Sequence, residues 1–250
     1  MKNFRLALGL LAILAAACGG TSDDESSKAD LDDDEALGST SQALSINEAI
    51  AASKKKGLVL VDPNTLNPPP ISMNDGWVPD IPYDVCFKAG SGTICLFFTR
   101  TWQVGDGSLE GAGGRPLDPG MVCADGHSLY ATFDQTWTGI RYYDANRNLA
   151  KKVVLEKWEG RVYNSRNASK WARLYVNDIV ETIFTPQGEL FNIYGNDFSA
   201  AKRTGQNLAR SFGELKFAVD GSLTQTGQHP LNDYYFGDPS GLVPLCNYLK

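Results

Sequence analysis

A histidine performs base or nucleophile-activating chemistry only with partners in hydrogen-bond reach. This chain has two, His127 and His229, each beside turn residues. Either could belong to a Ser-His-Asp site, but no G-x-S-x-G elbow accompanies them. The zinc-protease H-E-x-x-H motif, a phosphate-cradling glycine loop and a dinucleotide fingerprint are absent as well. Glu156 and Glu159 point to opposite faces of an ideal strand, which makes them a poor glycosidase pair, although each could meet a distant acid in the fold. Binding offers more. Trp102 shares a strand face with Arg100, and Trp137 shares one with Gln135, so polar groups would project into an otherwise apolar surface. A barrel that holds a small ligand combines apolar walls with a few placed polar groups, and Arg100, Trp102, Gln135 and Trp137 are the candidate binding residues. The competing reading is that the tryptophans pack a core and Arg100 reaches a carboxylate or a rim.

The elements that must position these residues are strands. Ile94, Leu96, Phe98, Trp102 and Val104 alternate along one stretch, with Arg100 interrupting their face. Leu129, Ala131, Phe133, Gln135 and Trp137 form the odd face of another. Further strands are expected near 151–163, 171–176, 179–184, 190–194, 213–219, 222–226 and 242–248. Turn signals at Asp106-Gly107, Asp125-Gly126, 144–148, 186–188 and Asp220-Gly221 separate many of them. The pattern predicts an all-β body over 83–250, an antiparallel β-barrel with a β-sandwich as alternative. No strong internal repeat suggests a propeller. Before the body, Ser45 and Glu48 form a capping box for a short helix ending in Lys54, Lys55 and Lys56. Six prolines between Pro63 and Pro82 then favour an extended packed arm, so 45–82 reads as helix plus arm.

Cys86, Cys95, Cys123 and Cys246 are an even set, expected as disulfides in an oxidising compartment. Of three pairings we favour Cys86 with Cys95, which flank a tight turn, and Cys123 with Cys246. No pair has the C-x-x-C spacing of a zinc site. The compartment follows from the first residues. Lys2 and Arg5 precede an uncharged run from Leu6 to Ala17, a signal-peptide pattern too short for a permanent span. Ala15-Ala16-Ala17 also satisfies the small-x-small rule of an ordinary secretory signal, which would leave Cys18 an unpaired thiol at the new N-terminus. We favour the other reading, in which Leu14 to Cys18 resembles the lipobox of bacterial lipoproteins, with Ala15 where that family favours Leu. The resemblance implies a signal peptide over 1–17, lipid attachment at Cys18 and, because Gly19 is not Asp, an outer-membrane destination or the cell surface.

Residues 18–44 read as a disordered tether. Eight acids and one lysine between Gly19 and Leu44 give −7. With +2 from the signal and −6 for the whole chain, the body carries only −1, which excludes a nucleic-acid footprint. Asp30, Asp32 and Asp34 sit at alternate positions like the first ligands of an EF-hand. Glu35 stands where its glycine belongs and Ser41 where its last glutamate belongs, so no metal is expected. The stretches 143–149 and 158–165 are similar to a hairpin of secreted bacterial β-rich proteins of uncharacterised function, a likeness that implies an exported β domain and no site residues. The expectation is a lipid-anchored, exported protein of the bacterial envelope that acts by ligand binding or surface interaction. Its partners would be the membrane, through the lipid, and a small ligand or envelope protein; no cofactor is expected. An exported hydrolase with an unrecognised site and a structural envelope component are the alternatives.

Overall fold

The computed structural model describes residues 58–71, 81–104, 115–116 and 122–250. The signal, the tether and the 45–56 helix lie outside the described residues, as does Asp106-Gly107. Ten strands form one antiparallel sheet: β1 (Val85–Ala89), β2 (Gly92–Val104), β3 (Arg115–Pro116), β4 (Leu129–Tyr143), β5 (Leu149–Asn164), β6 (Asn167–Thr185), β7 (Gly188–Ala201), β8 (Asn207–Arg210), β9 (Phe212–Phe217) and β10 (Leu223–Gln228). Their order is β1-β2-β4-β5-β6-β7-β9-β10, with β3 on β4 and β8 on β7. The body is all-β and antiparallel as expected, but it is not closed into a barrel: β1 and β10 are opposite ends of the hydrogen-bonded path. The β1 edge is instead occupied by the arm. Val61 N–H donates to Cys86 O at 2.9 Å, and Lys88 N–H donates to Val59 O at 2.8 Å. The disulfides join Cys86 to Cys95 across the β1–β2 hairpin and Cys123 to Cys246 across 123 residues of chain.

Alternation gives the sheet an inner face, built from the odd residues of β4 and the even residues of β5 and β6. At its lower end Leu129, Ala131, Val162, Ala172, Leu174 and Ala200 are buried beneath two short helices, α1 (Pro230–Tyr235) and α2 (Val243–Leu249). Alanines at three of those strand positions let the helices approach closely. Leu242, Leu245 and Leu249 fill the space, and Asn164 Nδ2 donates to Leu249 O at 2.8 Å. The strand expected at 242–248 is therefore helix. Leucines at these intervals of three and four make one helical stripe, and Pro244 suits a first helical turn while it would interrupt a strand ladder. The two strands expected at 171–176 and 179–184 are one continuous strand, β6.

A second cluster sits beside the arm, where Leu66, Tyr83, Phe97, Trp137 and Tyr143 pack together. Across the middle of the sheet runs one register row: Arg100, Trp137, Glu156, Asp178, Gly195, Gly213 and Gly227. Its second half is side-chain-free. A Cβ on Gly213 would lie 2.0 Å from Thr226 O, and one on Gly227 2.0 Å from Phe212 O; both have positive φ, +127° and +86°. Only glycine permits the backbones to meet so closely there.

Candidate functional site

The upper half of the inner face holds a groove of about 240 Å³. Trp137 of β4, Val154 of β5, Val180 of β6 and Phe191 of β7 supply apolar walls, and Lys152, Glu156, Thr182 and Glu189 supply polar groups. These residues come from four neighbouring strands whose register brings them to one face. Burial and the charge of Arg141 push the Lys152 ammonium below its usual range, against the pull of Glu189.

At one end of the groove, Glu156 enters a buried polar belt. Gln135 Nε2 and Trp158 Nε1 both donate to its Oε1, each at 2.6 Å. Across the β5–β6 ladder its direct partner is Asp178, which is 7% exposed. Burial, and after it the charges of Glu156 and Asp197, push the Asp178 carboxyl up to about 8. Near neutral pH the Asp178 carboxyl therefore keeps its proton. Asp178 Oδ1 and the Oε1 of Gln135, itself 1% exposed, have no hydrogen-bond partner among the described residues. The reason is local: the cross-strand neighbour of Asp178 on β7 is Gly195, which brings no side-chain donor.

Asp197 reaches this belt through a bulge, where Asp197 and Phe198 of β7 oppose the single residue Val176 of β6. It faces His229 Nδ1 at 3.0 Å, while His229 Nε2 donates to Thr226 O at 2.9 Å. His127 is buried with Nδ1 against Asp125, and its Nε2 has no partner. Each histidine thus has an acid, and among the described residues neither is hydrogen-bonded to a serine. The triad weighed from the sequence is not assembled there.

The four candidate binding residues divide. Gln135 belongs to the polar belt and Trp137 to the groove wall. Arg100 instead pairs with Asp84 and lies 4.5 Å above the Phe97 ring, while Trp102 stacks on that ring at 6.0 Å. A register shift between Phe97 and Arg100 sets this arrangement. Glu159 is on the outer face with Lys157, as strand geometry requires, and Glu156 has met its distant acid. Two other clefts have linings that include none of the belt residues. One of about 350 Å³ between β8 and α1 is bordered by exposed Asn207, Arg210 and Gln228, and one of about 140 Å³ lies against the Cys123–Cys246 bridge. No family model, curated protein or solved structure matches this chain.

Proposed function

We propose that this is a lipid-anchored envelope protein that holds a small, partly apolar molecule in the inner-face groove. Cys18 carries the lipid once residues 1–17 are removed, and the acidic stretch 18–44 tethers the body at the outer membrane or cell surface. The observation that carries the reading is the groove itself: four apolar walls from four strands, with charged groups at defined places among them. No second reading draws comparable support from the site.

The test is native mass spectrometry of the full exported chain, beside the same chain with Val180→Phe, which fills the groove. A stoichiometric adduct on the first and not on the second is the expected result. An adduct that persists in Val180→Phe places the ligand elsewhere. Replacing Cys18 by Ser should release the protein from membranes, and unchanged membrane association would refute the anchor.

A further inference from the structure

The belt beside the groove is rich in acceptors and poor in donors. Glu156, Asp178 and Asp197 come together from three strands, and Gln135 offers its remaining oxygen. Two of these groups, Asp178 Oδ1 and Gln135 Oε1, belong to side chains more than nine-tenths buried and have no donor among the described residues. A buried acceptor without a donor is destabilising, so the belt calls for a group that brings N–H or O–H to it. Among the described residues no three acids, histidines or cysteines are placed to hold a metal ion. An anion would meet carboxylates. Trp137 adds an aromatic wall next to Glu156, suited to a cation or an apolar stem.

Resting on the groove as the ligand site, we propose that the ligand carries a primary ammonium group on an apolar body, with the ammonium against the Glu156–Asp178 pair and the body along Trp137, Val180 and Phe191. The charged groups facing Asp178 set the pH response: Glu156 from β5, Asp197 from β7 with His229 behind it, and Lys152 and Glu189 farther along the groove. From β4 only the uncharged Gln135 and Trp137 face it. Asp178 holds its proton below about 8 in the free protein. The arriving cation displaces that proton to solvent, so binding strengthens as pH rises toward that value and then levels off.

The experiment is titration calorimetry of the full exported chain with n-octylamine, 1-octanol and octanoate, at pH 6 and pH 8.5. At pH 8.5 octylamine should bind at least about tenfold tighter than octanol, and lowering the pH to 6 should remove most of that advantage, about tenfold per pH unit below the Asp178 transition. Asp178→Asn should abolish both the preference and its pH dependence; Glu156→Gln should weaken octylamine more than octanol. Equal affinity for octylamine and octanol, or a preference for octanoate, overturns the ammonium inference and leaves the groove reading standing. Failure of every probe to bind overturns both. The pH series on the unaltered chain decides the matter even if a variant does not fold.

Discussion

The lower and upper halves of the inner face are made by the same strands and differ in what covers them. Below Gln135 the face carries Leu, Val, Ala and Phe133, and α2 seals it; above Gln135 Trp137, Val154 and Tyr143 pack with Leu66 and Tyr83 of the arm, and Glu156, Asp178 and Lys152 stand among them around the groove. The lower half is a core whose side chains are chosen for volume. In the upper half polar groups occupy inward positions where apolar ones would pack better, and such local departures from folding logic are expected at functional or strained sites. The contrast also separates two kinds of burial. Leu245 is buried by apolar neighbours that gain from its presence, whereas Asp178 is buried against its own charge.

This contrast can be broken at several points. The largest effect is expected from opening the lower seal: replacing Cys123 and Cys246 by Ser should destabilise by about 4 to 5 kcal/mol, given the 123-residue span, as read from urea unfolding. A melting curve indifferent to the double change would mean that α2 docks without its tie. Leu245→Ala, in the middle of the seal, should follow at roughly 2–5 kcal/mol.

Asp178→Asn should have the opposite sign. The Asp178 pKa is raised in the folded state, so the unfolded chain gives up its proton first as pH rises. Stability associated with this group is therefore complete below about 4 and declines until the folded carboxyl ionises near 8. The variant should flatten that decline and be the more stable protein at pH 8–9. A pH profile identical to that of the unaltered chain would show that Asp178 is not held neutral. Smallest of all, removing the exposed Lys157–Glu159 pair on the outer face should change stability by about 0.5 kcal/mol or less.

How far these halves are legible in the sequence depends on which rule governs each. Alternation in 129–137 places Gln135 and Trp137 on one face because a period of two is fixed by the strand itself. The cysteine pairing is likewise local for Cys86 and Cys95. The Glu156–Asp178 meeting is not legible. A tight hairpin at Ser165-Arg166, extended in register from Asn164 opposite Asn167, would set Glu156 opposite Tyr175. The irregularity between Tyr163 and Asn164 puts Trp171 opposite Tyr163 and brings Asp178 to Glu156 instead. Asp197 likewise owes its place to a bulge. Residues 242–248 show a further limit. Their apolar content fits a strand, and only the spacing of Leu242, Leu245 and Leu249, read with Pro244, marks the helix.

The C-terminal seal also sets an order of events. Neighbouring strands β4 to β7 pair along the chain as it lengthens, but Asn164 waits 85 residues for the carbonyl of Leu249, and Cys123 waits longer still for Cys246. Until its final turns are made, the chain therefore presents a bare apolar surface on the lower inner face. Through that interval the Cys123 thiol has no Cys246 to pair with and remains open to alkylation, so the loss of that reactivity times the closing of the seal.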